Sequence, residues 1–203
     1  MAVAPSNGAS RGRKHSTSRA ELEHVAFELF AQRGFEHTTV DEIATAAGIG
    51  RRTFFRYFAS KNDVVWGDFD GALDRMAATL RAASPDLELM EVIRTALLEF
   101  NRVDPEEEPW LRRRMALILR VPALQAHSTL RYASWRAVLA EFAGEYLDRP
   151  SESLVPQAIA HCALGVAVAG YERWLADEQA NLHALMDQAF RGLMSGFTDL
   201  GHR

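Results

Sequence analysis

Apolar residues recur at helical spacing through most of this chain, and the runs open and close on residues that start or stop helices. Leu22, Val25, Ala26, Leu29 and Phe30 form an i, i+3, i+4, i+7, i+8 stripe. Ser18 with Glu21 places a capping box ahead of it, each side chain meeting the other residue's exposed backbone N–H, and Gly34 stops it. Thr39 with Glu42 repeats the device before Val40, Ile43, Ala44 and Ala47, and Gly48 stands where a chain leaves a helix in a left-handed conformation. After Ile49 and Gly50, the run Arg51 to Phe58 restarts the period with Phe54 and Phe58 on one face. Ser60 with Asp63 opens a fourth helix, predicted to continue unbroken to Ala83 through Val64, Trp66, Phe69, Leu73, Met76 and Leu80. Beyond Ser84-Pro85, breaks near Asp104-Pro105, Val121-Pro122, Arg149-Pro150 and Asn181 predict helices at 86–103, 107–120, 123–148, 152–178 and 181–199. No period-two run competes, so the fold class is all-α: a three-helix N-terminal module followed by a helical bundle.

The second and third helices are short, joined by a tight glycine turn, and the third carries a basic tip. That is the anatomy of a helix-turn-helix DNA reader. Its apolar stripe would anchor the third helix while the first residues enter the major groove, where arginine pairs with guanine in bidentate fashion and threonine meets a thymine methyl. Base reading therefore falls to Arg51, Arg52 and Thr53. Arg56, Tyr57 and Lys61 would lie near phosphates, whose contacts set affinity and register rather than sequence preference.

Charge supports a division of labour. Through Trp66 there are nine basic against seven acidic residues, leaving fourteen against twenty in the remainder and a net charge of −4 overall. The first twenty residues hold Arg11, Arg13, Lys14 and Arg19 and no acid. Their Ser, Gly and basic content predicts a disordered basic arm over 1–17, able to follow phosphates or enter a minor groove. The domains expected are this arm, a helix-turn-helix domain over 18–66, and a ligand-binding and dimerisation domain over 67–203. The single cysteine, Cys162, precludes an intramolecular disulfide and is expected to be buried as a small hydrophobe, with His161 beside it as a packing residue. No metal motif appears among the seven histidines, and no metal or other cofactor is predicted. With no apolar h-region near the start and no unbroken apolar run of about 18 residues, the expectation is a soluble cytoplasmic protein without a membrane partner.

In the body, Ile159 to Gly170 is rich in Ala, Gly and Val, and the last helix adds Leu182, Leu185, Met186, Phe190, Leu193, Met194 and Phe197. Two such helices from each of two chains would build a four-helix homodimer interface, although the same stripes also suit a monomer's own core. A ligand pocket would lie among the middle helices, where Met90, Ile93, Leu97, Phe100, Met115, Trp135, Phe142 and Trp174 supply adaptable apolar surface, although residues of these types are more often plain core than pocket wall. Of the consecutive Arg112, Arg113 and Arg114, at most one or two can face inward, and Arg112 is the candidate for pairing with a ligand carboxylate or phosphate.

The segment from Ser18 to Val65 resembles the DNA-binding domain of the tetracycline-repressor (TetR) family. The resemblance runs through Ala26, Leu29 and Phe30, Gly34-Phe35, Thr39-Val40, Ile43-Ala44, Ala47-Gly48-Ile49, Thr53-Phe54-Phe55-Arg56-Tyr57-Phe58 and Ser60-Lys61. It implies base reading at Arg51, Arg52 and Thr53 and backbone contacts at Phe55, Tyr57 and Lys61. With Thr39 and Arg56, these complete the candidate DNA surface. Two departures stand out: Gly50 replaces a side-chain cap, and Phe55 lacks the phenol oxygen of the Tyr common there. The run from Gly48 to Phe58, continuing through Ser60-Lys-Asn-Asp63 to Trp66-Gly-Asp-Phe69, is similar to regulators found with mycofactocin biosynthesis systems. That resemblance implies control of mycofactocin-associated genes and an acyl-CoA thioester as effector. The resulting expectation is a homodimeric regulator, most simply a repressor, that binds a palindromic double-stranded DNA operator and is released by a small apolar or amphipathic effector. A helical adaptor that binds partners without DNA, or a helical-bundle enzyme, are the competing classes. No nucleophile elbow, phosphate loop or paired carboxylates support the enzyme.

Overall fold

The computed structural model describes residues 18–198; the predicted arm over 1–17 lies outside the described residues. Among those described, the chain forms α-helices and no strands: α1 (Arg19–Arg33), α2 (Val40–Ala46), α3 (Arg51–Tyr57), α4 (Lys61–Trp66), α5 (Phe69–Arg81), α6 (Leu89–Phe100), α7 (Glu108–Arg120), α8 (Pro122–Leu147), α9 (Leu154–Ala176) and α10 (Leu182–Met194). They fall into two compact units divided between Val64 and Val65.

In the first unit both predicted capping boxes form. The Ser18 hydroxyl accepts from the Glu21 N–H, and the Glu21 carboxylate accepts from the Ser18 N–H; Thr39 and Glu42 do the same at α2. The core is aromatic. Phe27, Phe30, Phe35, Phe54 and Phe58 are buried with Leu22, Ala26, Ile43 and Ala44, and ring pairs lie 4.9–5.8 Å apart. Phe27 falls outside the stripe read from the sequence yet is 2% exposed, whereas Val25, Leu29 and Ile49 are only partly buried, so the face of α1 is rotated toward Phe27. Between α2 and α3, Gly48 takes φ 67° and the Ile49 N–H returns to the Ala44 carbonyl at 2.9 Å. This is the i to i−5 closure for which glycine is suited.

The predicted fourth helix is two helices. α4 ends at Trp66, Gly67 takes φ 55°, and Asp68 leads into α5. Glycine enters this left-handed region without a Cβ penalty, so the chain turns there although the apolar spacing from Trp66 to Phe69 to Leu73 runs through the break.

In the second unit, α5, α6, α8, α9 and α10 enclose one core in which Met76, Leu80, Ile93, Leu97, Leu139 and Phe190 are almost fully buried. Each such side chain contributes about 1.5–3 kcal/mol. A smaller cluster joins Trp174 of α9 to Leu182 and Met186 of α10. α9 and α10 approach closely at Gly170, where a Cβ would meet Met186 Sδ at 2.9 Å. α9 packs against α7, α8 and α10. By length and composition it could cross a membrane, although the sequence shows no unbroken apolar run of that length. Its buried face carries Ala160, Ala163, Ala167 and Gly170, and its outer face exposes Ala158, Cys162, Gly165 and Ala169. Cys162 and His161 are thus exposed rather than buried, because they lie on the side of α9 turned away from the core.

Candidate nucleic-acid interface and interior cavity

The third helix of the first unit is oriented by Phe54 and Phe58, 0% and 2% exposed, which leaves its other faces to solvent. Arg51, Arg52, Phe55 and Arg56 are exposed; Thr53 and Tyr57 are partly so. Gly50 caps through its backbone alone, its carbonyl accepting from the Thr53 and Phe54 N–H groups at 2.8 and 3.2 Å. No acid occupies the first turn, so the tip of α3 is cationic. Arg51 is nevertheless engaged, donating to Asp41 at 2.7 Å and lying over the Phe55 ring. Arg52 carries no ion pair among the described residues. Arg56 lies over the ring of Tyr57, its guanidinium 5.1 Å from the centroid.

Two of the candidate residues have structural duties. The Thr39 hydroxyl caps α2 and also donates to Glu42 at 2.9 Å. The backbone and side-chain bonds from Thr39 hold the Glu42 carboxyl below its ordinary value, with Arg33, 2.7 Å away, acting in the same direction. Lys61 is turned inward: Nζ donates to the Phe35 and Thr38 carbonyls at 2.6 and 2.8 Å and sits over the Phe35 ring. Its burial pulls the ammonium below its ordinary value. Sequence reasoning missed Arg19, which donates to the Tyr57 carbonyl at 2.8 Å and covers the Phe58 ring, closing the C-terminal end of α3. Its place beside the basic arm concealed this role.

The second unit holds an apolar cavity of about 330 Å³, near the lower end of the roughly 300–1,000 Å³ typical of ligand pockets. Its aromatic walls are Trp66, Phe69, Phe100, Tyr132, Trp135 and Tyr171, with edge-to-face contacts linking Trp66 to Phe69 and Tyr132 and linking Phe100 to Phe69 and Trp135. Polar groups are few. The Tyr171 hydroxyl donates to Asn101 Oδ1 at 2.6 Å, Arg114 is a lining residue, and Asp68 and Arg75 form an exposed pair 3.5 Å apart. Burial pushes both tyrosine hydroxyls, Tyr132 and Tyr171, upward, so they remain protonated donors at neutral pH. Another cleft, beside the turn from α8 to α9, is lined by Glu141, Glu145, Asp148 and Arg149 and offers little apolar surface.

Of the nine ligand candidates read from the sequence, Phe100, Met115 and Trp135 line this cavity. The other six lie elsewhere. Ile93 and Leu97 are core because α6 turns its stripe toward the bundle interior, and Met90 of α6 and Phe142 of α8 pack at its margin. Trp174 fills the cluster between α9 and α10. Arg112 is stacked on Trp174 at 4.1 Å, donates to the Trp174 carbonyl at 2.7 Å and pairs with Glu108, which makes it a cap on the end of α9. The inward arginine beside the cavity is Arg114. Trp66, Phe69, Tyr132 and Tyr171 escaped notice because apolar spacing cannot separate a cavity wall from a packed core. No cluster of His, Cys, Asp and Glu suited to a metal occurs among the described residues.

Comparison with known proteins agrees with this architecture. Residues 24–65 match the model of the bacterial regulatory proteins of the tetR family, and residues 87–198 match the MftR C-terminal domain. The chain is 42% identical, over 93% of its length and 96% of the relative's, to the proposed mycofactocin biosynthesis transcriptional regulator MftR of Mycobacterium tuberculosis. Its fold is similar to that of the fatty acid degradation regulator FadR of Bacillus halodurans, with 19% identity, a TM-score of 0.65, and coverage of 88% of this chain and 99% of that one. It is also similar to FadR of Thermus thermophilus, a TetR-family repressor solved in complex with lauroyl-CoA, with 22% identity, a TM-score of 0.58, and coverage of 92% and 97%. With its helix-turn-helix unit and all-helical second unit, the chain belongs to the TetR family, whose members are transcriptional regulators rather than enzymes.

Proposed function

We propose that this regulator is a homodimeric repressor of mycofactocin-associated genes, that it holds a palindromic operator through α3, and that an acyl-CoA thioester in the aromatic cavity releases it. The observation that carries the reading is the cationic tip of α3, presented by a helix whose opposite face is locked into the aromatic core. Arg51, Arg52 and Thr53 read base edges in it, while Phe55, Arg56 and Tyr57 meet the backbone. Lys61 and Thr39 act mainly by holding the reader's shape. Two readers must enter successive major grooves about 34–36 Å apart. The exposed small residues of α9 support pairing of two chains through α9 and α10.

The effector assignment rests on the apolar cavity and on the lauroyl-CoA bound by the Thermus thermophilus relative. The genes follow from the likeness to MftR. To release DNA, the effector must bind the DNA-incompetent form more tightly than the competent one. The test is a fluorescence-anisotropy titration of a labelled duplex from the region upstream of the chain's own gene, at two salt concentrations, with and without lauroyl-CoA. Sequence-selective, salt-sensitive binding that lauroyl-CoA reverses is expected. Equal binding to an unrelated duplex would overturn the operator assignment, and indifference to lauroyl-CoA would overturn the effector.

A further inference from the structure

The cavity meets the backbone at the break between α4 and α5. Trp66 ends α4 and Phe69 begins α5; both are walls of the chamber, and Gly67 between them takes φ 55°. The last carbonyls of a helix have no partner within it. That of Val65 finds one across the unit: Arg114 Nη1, from α7, donates to it at 2.8 Å. Arg114 is partly buried and lines the same cavity. One residue therefore both closes the final turn of α4 through its guanidinium and borders the space a ligand would fill.

A guanidinium bonds more strongly to an anionic oxygen than to a neutral carbonyl, and its planar fork favours two acceptors at once. We propose that Arg114 is a latch on α4 that the effector opens: an oxygen acceptor of the bound ligand draws the guanidinium from the Val65 carbonyl and frees the last turn of α4 to move about Gly67. This rests on the effector reading above. Arg114 is a positioning residue in this scheme, since it acts on DNA binding only through α4. The segment it controls begins at Lys61, whose ammonium holds two carbonyls of the reader unit.

The latch predicts that Arg114→Met behaves as though the effector were already bound. In the full chain, with its fold checked by circular dichroism, operator affinity without ligand should fall about tenfold, within the usual range of coupling between sites. Lauroyl-CoA should still bind by calorimetry yet cause no further release. Arg114→Lys, which keeps the charge but not the fork, should be intermediate. Hydrogen exchange of the α4 amides should accelerate in the wild type when lauroyl-CoA is added. An Arg114→Met variant that binds and releases DNA as the wild type does would overturn the latch. If that variant does not fold, unchanged α4 exchange in the liganded wild type overturns it instead. Absence of lauroyl-CoA binding to the wild type would defeat the effector reading alone; the latch would then fall if Arg114→Met and wild type bound operator equally without ligand.

Discussion

Arg51 and Arg52 are neighbours on α3 in different situations, and the difference has measurable consequences. Arg52 is exposed without an ion pair among the described residues, whereas Arg51 is held by Asp41. Replacing Arg52 with Ala should cost about 1–3 kcal/mol on the preferred duplex and relax selectivity at one position, as read by competition with single-base variants. Asp41→Ala should act in the opposite sense. It removes an exposed acid beside the tip of α3 and frees Arg51 from an exposed pair worth about 0.2–1 kcal/mol, so binding to non-operator duplexes should tighten by up to about fivefold. The basic tip was plain from the sequence. The restraint on Arg51 was not, because Asp41 and Arg51 lie on different helices and meet only once the Gly48 turn is built.

The short α2 depends on its capping box. Thr39→Ala should destabilise the protein by about 0.5–2 kcal/mol at neutral pH. The accompanying pH dependence has a definite sign. Hydrogen bonds from Thr39 hold the Glu42 carboxyl below its ordinary value, so its contribution is present above the unfolded-state value and disappears as pH falls through the lower, folded-state value. The gap in melting temperature between wild type and Thr39→Ala should therefore narrow in acid. Capping of α9 by Arg112 is testable apart from ligand binding. Arg112→Ala loses a charge-assisted bond of about 1.5–3 kcal/mol and should melt earlier, while its calorimetric affinity for lauroyl-CoA stays unchanged. Helix ends marked by Ser, Thr, Gly and Pro were legible in advance; the split between α4 and α5 was not. Trp66, Phe69 and Leu73 keep helical spacing through Gly67, and only the backbone geometry shows that this glycine turns the chain.

At the scale of the whole molecule, a helix-turn-helix reader gains specificity when two copies are joined. If α9 mediates that joining, Gly165→Arg offers a clean test, since nothing lies within 4 Å of the Cβ it would add to the isolated chain. The variant should fold, sediment as a monomer and lose about 10²–10⁴-fold in operator affinity, the usual worth of making a second contact intramolecular. The all-helical architecture was readable from periodicity alone, but the cavity was not, because an empty space is defined by side chains that fail to meet and sequence records only those that could. The chamber also carries its own reporter. Two of the four tryptophans, Trp66 and Trp135, stand in its walls, so a guest that excludes water there must alter their emission. A library of unlabelled compounds could thus be screened by the intrinsic fluorescence of the unmodified protein, with Trp135→Phe and Trp66→Phe assigning the signal to either side of the chamber.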